Sequence, residues 1–420
     1  MRILTIASER IYTGEGEPFR GYITVVGSSI DSVNEGEPDP ADEDLGEVLD
    51  FGSARVIPGL IDLHVHGAGG HDADAPLSEM ARFLARNGVT AFQPTVGAAP
   101  VPAMESTISK VRDLLLRREP LPAAGKSPGK PGRLGQSSGL GQSVQSGRSS
   151  LPRGAKFLGL HLEGPFLNPA RNGAIPRDCL LPPDLRLMKR WVEMGEGIVG
   201  HVTLAPELAG SLQVINYLVQ SGVTVSLGHT DATYDQMIEG FRAGATVVTH
   251  TFNAMRGLHH REPGPVGAAL TDDDAYCELI ADGIHVHEAA MRLLLRAKGV
   301  DRVCLVSDAL PMAGLNPGRY EFLGQEISLD ESGRCLLSDG TLAGSTAMLK
   351  DGLRVVAGQL GVPFEAALRM ATVNPAKIAG VWERKGSLTE EKDADIVVLD
   401  ASFRVLFSMV EGEVQVNEAK

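Results

Sequence analysis

Six residues of the types that hold metal ions or move protons stand where short apolar runs end: His64, His66, Glu163, His229, His250 and Asp308. The runs are VIPGLIDLHVH, KFLGLHLEG, VTVSLGH, ATVVTHT and RVCLVSDA. Residues i and i+2 of a strand point to the same face, so His64 and His66 can reach one ion. Imidazole and carboxylate suit Zn and other divalent first-row metals, including Fe, Co and Mn. One histidine at a strand end is usually structural. Six such residues on five strands, in one register, point to a shared site.

The elements that would position them alternate. VTAFQPT, GIVGHVTLA and YCELIADG complete a set of eight candidate strands from Val56 onward. Amphipathic stretches such as LSEMARFLARNG, SLQVINYLVQSG and HEAAMRLLLRAKG lie between them, with glycine just past the periodic part as a helix stop. Eight strands alternating with helices is the count a (β/α)₈ TIM-like barrel requires, and such barrels carry their chemistry at the C-terminal strand ends. STAMLKDGLRVVAGQL and PFEAALRMATV read as two further helical stretches after the eighth strand.

Both ends of the chain have short-strand texture: Ile3, Thr5 and Ala7, then Tyr22, Thr24 and Val26, and at the far end ADIVVLD and VLFSMVEGEVQV. The expectation is a small β-sandwich domain built from residues 1–55 and 379–420, beside a barrel over 56–378. An insertion at about 120–155 is rich in Gly, Ser and Pro, is basic, and reads as a disordered surface loop.

A length of 420 residues suits a barrel with a smaller partner. The net charge of −14 argues against nucleic acid or an anionic membrane as a partner. An anionic small substrate would need a local cluster of positive groups. Cys179, Cys277, Cys304 and Cys335 lie far apart without a C-x-x-C pair, so neither a disulfide framework nor a thiol metal site is expected. The N-terminus lacks an apolar h-region and no run reaches membrane-spanning length, so the expected location is cytoplasmic.

The segments PGLIDLHVHG, HLEGPFLN, LAPE, GHTDAT, THTFNAM, REPG, ADGIHV, SDA, GTLAGST, NPA and KGSL…DADIVVLD occur in this order. Together they resemble the amidohydrolase superfamily and, within it, the sugar-phosphate deacetylases. The resemblance implies that Glu163, His229 and His250 hold the catalytic metal and that Asp308 is the acid/base. It implies substrate contacts from Ala174, Asn253, Ala254, Arg261, His285, Leu342, Ala343 and Gly344. Arg261 and His285 would supply the positive cluster, and a neighbouring subunit would help bind phosphate, implying a homodimer. The expected reaction converts N-acetyl-D-glucosamine 6-phosphate to D-glucosamine 6-phosphate and acetate.

Two departures bear on the metal count. Members often have a histidine where this chain has Ile175, and isoleucine cannot polarise a carbonyl. Some members lack the H-x-H pair, whereas His64 and His66 are both present, so one or two ions per subunit are expected. A second ion on His64, His66 and Asp308, bridged by Glu163, would supply the lost polarisation. Glu391 stands where the tail motif usually has a turn glycine.

Competing readings are an N-acetylgalactosamine 6-phosphate deacetylase, an N-acyl-amino-acid or cyclic-amide hydrolase, and a catalytically silent scaffold. The last would show lost ligands, and all four of Glu163, His229, His250 and Asp308 are present. His161 and His201 read as interior strand residues, and His71 and His287 have no visible partner; all four are left outside the site.

Overall fold

The apolar runs that carry the candidate ligands become neighbouring strands of one parallel sheet. The computed structural model describes residues 2–74, 77–115 and 153–418. Strands Leu60–Val65, Val89–Gly97, Leu160–Glu163, Val199–Leu204, Thr224–Leu227, Val247–Val248, Tyr276–Ile280 and Val303–Val306 pair side by side in chain order, all parallel. Closure comes just past the first and eighth strands. The Asp308 amide donates to the His64 carbonyl (2.9 Å) and the His66 amide to the Ala309 carbonyl (2.8 Å). This is the (β/α)₈ barrel expected from the alternation. Strands covered on both faces read as near-continuous apolar runs broken by a few buried polar residues, which is why the runs were readable.

The intervening helices bury one stripe each. Leu77–Arg86 buries Leu77, Met80, Ala81, Leu84 and Ala85, spacing of the 3.6-residue period. Asp184 caps Leu185–Gly195 by accepting from the amides of Arg186 and Leu187. Thr233 and Gln236 form a capping box on Tyr234–Arg242. Ser211–Gln220 and Glu288–Lys298 occupy the other two stretches read as amphipathic helices. The segments after the eighth strand contain Leu349–Arg354, running on into Val355–Gln359, then Phe364–Arg369 and Val373–Ile378.

Strands from both chain ends share one eight-stranded sheet. Its N-terminal part is Ile3–Ile11, Phe19–Val26, Ser29–Glu35, Glu47–Asp50 and Arg55–Pro58; its C-terminal part is Ile396–Leu399, Val405–Val410 and Glu413–Asn417. The seam is the antiparallel pairing of Arg55–Pro58 with Ile396–Leu399. Leu4, Ile6, Ile23 and Val25 from one end meet Ile396, Val398, Phe407 and Met409 from the other in a single apolar core.

One element was not anticipated. Between the eighth strand and its helix, Gly318–Phe322, Gln325–Leu329, Cys335–Leu336 and Leu342–Gly344 form a four-stranded antiparallel sheet. Its first strand is largely exposed, so no apolar run marks it. The insertion read at about 120–155 falls, for residues 116–152, outside the described residues.

Beneath the ligand positions the barrel interior is polar. His161 and His201 stack with ring centroids 4.1 Å apart. The ring nitrogens of His161 meet the hydroxyls of Thr95 and Thr203; those of His201 meet Gln93 and Ser226. Burial lowers His161 well below its ordinary range and His201 to about 4, so both rings are neutral. They are hydrogen-bonded interior residues.

Candidate active site

The H-x-H pair ends the first strand, with His64 fully buried and His66 nearly so. Glu163 is the last residue of the third strand. His229, His250 and Asp308 each stand two residues beyond a strand end, and all three have left-handed backbone, with φ of 48°, 25° and 48°. His and Asp are among the non-glycine residues that tolerate this region best. The chain thus leaves the strand at the residue that supplies each side chain.

These side chains converge. Glu163 Oε1 lies 3.1 Å from His229 Nε2, 3.0 Å from His250 Nε2 and 3.4 Å from His64 Nε2, while Oε2 lies 3.3 Å from His66 Nε2. Asp308 Oδ1 lies 3.4 Å from His64 Nε2 and 3.3 Å from His66 Nε2. Ligand atoms of His64, His66 and Asp308 lie within 4.8 Å of one another, as do those of His64, Glu163 and His250.

The hydrogen bonds around the cluster suit a cation. His229 Nδ1 is 2.9 Å from the Arg171 carbonyl oxygen, so Nδ1 carries the N–H there and Nε2 is the nitrogen that faces the cluster. That Nε2 lies 3.1 Å from His250 Nε2. His64 Nε2 is buried with no hydrogen-bond partner. Two facing imidazole nitrogens, an orphaned third and a carboxylate are what a divalent ion would join.

Electrostatics agree. Burial would raise the Glu163 carboxyl, but His229, His64 and His250 hold it well below the usual carboxylate range. Burial likewise opposes the charge on Asp308, which His66 and His64 keep below its ordinary value. Burial pulls His64 and His66 down, but Glu163, Glu278 and Asp308 carry His64 to about 10, and Asp308 and Glu163 carry His66 to about 9. The carboxylates of the cluster thus favour positive charge at the ring nitrogens that face them.

A cavity of about 350 Å³ opens above it, within the range of small-molecule sites. Ala174, Asn253, Ala254, His285, Leu342, Ala343 and Gly344 all line it. Arg261 does not. It is exposed, and its Nη1 lies 3.0 Å from His260 Nε2. Arg261 thus stands apart from the other expected contacts, all of which line the cavity. The reason is local: the His259–Glu262 turn holds it at the surface.

A family model, the amidohydrolase family, matches residues 149–417, more than half of the chain. The chain belongs to the amidohydrolase family. This amidohydrolase is 34% identical over 400 residues to the N-acetylglucosamine-6-phosphate deacetylase of Bacillus subtilis (strain 168), covering 94% of this chain and 92% of the relative. It is 36% identical over 412 residues to the N-acetylgalactosamine-6-phosphate deacetylase of Escherichia coli O157:H7, covering 97% and 98% respectively. A solved N-acetyl-D-glucosamine-6-phosphate deacetylase from Mycobacterium smegmatis, in complex with N-acetyl-D-glucosamine-6-phosphate, superimposes with a TM-score of 0.85 at 30% identity, covering 99% of this chain and 100% of that one. The protein is a metal-site hydrolase of amide bonds.

Several lining residues of this amidohydrolase escaped the sequence reading. Phe322 and Leu323 reach in from the unanticipated sheet, and the Phe322 ring sits 5.3 Å from that of His66. Arg171 also lines the cavity, but its Nη2 lies 2.8 Å from Asp231 Oδ1. Glu278, in the seventh strand, meets His64 Nδ1 at 3.1 Å. Its only signal in the sequence is a lone acid inside the apolar run YCELI.

Proposed function

We propose that this amidohydrolase hydrolyses the N-acetyl group of N-acetyl-D-glucosamine 6-phosphate, giving D-glucosamine 6-phosphate and acetate. The observation that carries the reading is the meeting of Glu163, His229, His250, His64, His66 and Asp308 at the floor of one small cavity. Relatives alike over most of their length deacetylate amino-sugar 6-phosphates by name.

Glu163, His229 and His250 would hold one divalent cation, and His64, His66 and Asp308 a second, with the two oxygens of Glu163 facing both groups. Zn, Fe, Co and Mn all suit this donor set. A cation bound there lowers the pKa of water and polarises a carbonyl. Asp308, kept ionised by His66 and His64, accepts the proton of the attacking water and returns it to the departing nitrogen. Ile175, buried against Ala98, Leu167 and Leu323, presents no polar atom for the acetyl oxygen. Polarisation therefore falls to the metal cluster, which favours two ions.

The phosphate would need positive charge that one chain does not offer freely. Arg171 is paired with Asp231, and His285 Nδ1 lies 2.6 Å from Asp282 Oδ2. Exposed Arg261 would serve the cavity of a second subunit, making the active unit a homodimer. The free thiols Cys179, Cys277, Cys304 and Cys335 support a reducing, cytoplasmic setting. No helix among the described residues is long and apolar enough to cross a membrane. We divide the chain into a barrel over 56–378 and a small β domain from 1–55 and 379–420, with Arg55–Pro58 as the seam.

The galacto epimer is a second reading, favoured by the 36% identity to the N-acetylgalactosamine-6-phosphate enzyme. Acetate release from both 6-phosphates, with metal content measured on the same sample, decides between them. A metal-replete protein that cleaves neither sugar would refute the proposal. Full activity at one ion per subunit would remove the second ion.

A further inference from the structure

The seventh strand, Tyr276–Ile280, puts one carboxylate inside the barrel: Glu278, fully buried. Its Oε2 lies 3.1 Å from His64 Nδ1 and 3.1 Å from the backbone nitrogen of His250, and both bonds converge on that one oxygen. Its Oε1 has no hydrogen-bond partner. A buried carboxylate with half its acceptors empty is a poor device for stability, because the desolvation it suffers is only partly repaid. Its placement needs another reason.

His64 supplies one. Among the described residues it is the one shared by both groups of three side chains close enough to hold an ion, so an error in its ring angle would disturb the place where the two groups meet. A histidine that binds a metal through one nitrogen almost always donates the N–H of the other to an acceptor, which fixes its tautomer and ring angle. His250, the second partner of Glu278, has the lowest of the three left-handed φ values, 25°.

We infer that Glu278 is a positioning residue for the metal centre. By accepting the Nδ1–H of His64 and the backbone N–H of His250 on one oxygen, it aims His64 Nε2 into the cluster. It also ties the ligand of the first strand to that of the sixth across the barrel. The inference rests on the metal-site reading above.

The test compares the wild type, Glu278→Ala, Glu278→Gln and Glu163→Gln, each stripped and reloaded with Co²⁺ and with Zn²⁺. Measured are ions per subunit, affinity by chelator competition, the Co²⁺ visible spectrum and thermal midpoint. Glu278→Ala is expected to weaken metal affinity about 10–100-fold and to alter the Co²⁺ spectrum, as loss of a ligand's outer hydrogen-bond partner does. Glu278→Gln keeps an acceptor oxygen in the same place and is expected to fall between Ala and wild type. If Glu278→Ala does not fold, Glu278→Met, which fills the space without an acceptor, is read in its place.

Wild-type affinity and spectrum in the Ala or Met variant would overturn the inference, as would a Gln variant no better than Ala. Those outcomes leave the metal site itself standing, provided that Glu163→Gln still abolishes binding. A wild type that binds no divalent ion, or binds one that Glu163→Gln leaves untouched, would instead sink the metal-site reading and this inference together.

Discussion

Replacing Lys385 with methionine tests the packing of the segment that leads from the barrel into the C-terminal strands. The Lys385 side chain is 4% exposed, and its Nζ lies 2.9 Å from Asp393, 2.9 Å from Asp395 and 3.2 Å from Glu411. Burial alone would lower the lysine, yet the three carboxylates raise it above its ordinary value. Losing it does not strand all three acids. Asp393 keeps Arg384 at 3.0 Å, and Glu411 keeps Lys156 at 3.3 Å. Asp395, with a side chain 6% exposed, keeps only the backbone N–H of Glu411 at 2.8 Å. One stranded charge instead of three places the loss near the lower end of the range for broken buried pairs, about 3 kcal/mol.

The pH dependence follows from the same residues. Lys385 has a raised folded pKa, so its contribution is whole below its unfolded pKa of about 10.4 and is lost as pH rises through the folded value. Asp395 is already raised by burial, and Lys385 is the main group holding it down. Without that lysine the acid rises further and takes a proton more readily in the folded than in the unfolded state. The penalty of K385M should therefore shrink as pH falls from the new Asp395 value towards the raised value that the acid has in the wild type. Urea unfolding at several pH values measures both effects, and kcat/KM of the folded variant should stay at wild-type level. A loss under about 1 kcal/mol, or one that grows on acidification, would refute the reasoning.

Asp308→Asn should retain the ion on Glu163, His229 and His250 while kcat falls about 10²–10⁴-fold, the usual worth of a positioned base; steady-state kinetics with metal analysis checks this. Gly173 has φ +56° and a Cβ there would sit 3.2 Å from His229 Cε1, so Gly173→Ala should lose metal affinity, read by chelator competition. Glu391 has φ 70° and donates its amide to the Ile30 carbonyl. Glu391→Gly relieves about 1–2 kcal/mol of left-handed strain and returns about 0.4–1 kcal/mol as unfolded-state entropy, so a small rise in thermal midpoint is expected. Stripping the metal should lower the thermal midpoint, with about 4 kcal/mol regained at a free-ion level 1,000 times the Kd; a midpoint indifferent to metal would contradict the cluster's role.

The barrel was legible because its strands are buried on both faces and are dominated by apolar residues, so His64, His66, Glu163, His229, His250 and Asp308 stood out at their ends. The four-stranded sheet that begins at Gly318 and ends at Gly344 was not. Its first strand alternates exposed Arg319 and Glu321 with half-buried neighbours, and that pattern resembles a polar loop. Phe322 and Leu323 were lost with it. Arg261 was legible as a residue but not as a position, because the turn that exposes it is set by its own neighbours. The shared sheet of the two ends was legible from texture alone, since the N-terminal segment alternates and the tail returns to short strand-forming runs. Its seam at Arg55–Pro58 depends on a pairing across most of the chain's length that no local pattern encodes.

His229, His250 and Asp308 share a feature that sequence could not reveal. Each sits in left-handed backbone, at a cost of about 1–3 kcal/mol where nothing compensates. Local neighbours hold the geometry: the Asp308 amide donates to the His64 carbonyl, and the His250 amide to Glu278. Asp308 and His250 are thus tied to a neighbouring strand or side chain as well as to their own segments, where the Asn253 amide donates to the His250 carbonyl. A cation is the natural counterpart of such an arrangement, since it rewards only the conformation in which all the ligands face inward at once. Strain of this kind, distributed over three strands, explains why six residues could be picked out singly while their mutual dependence could not.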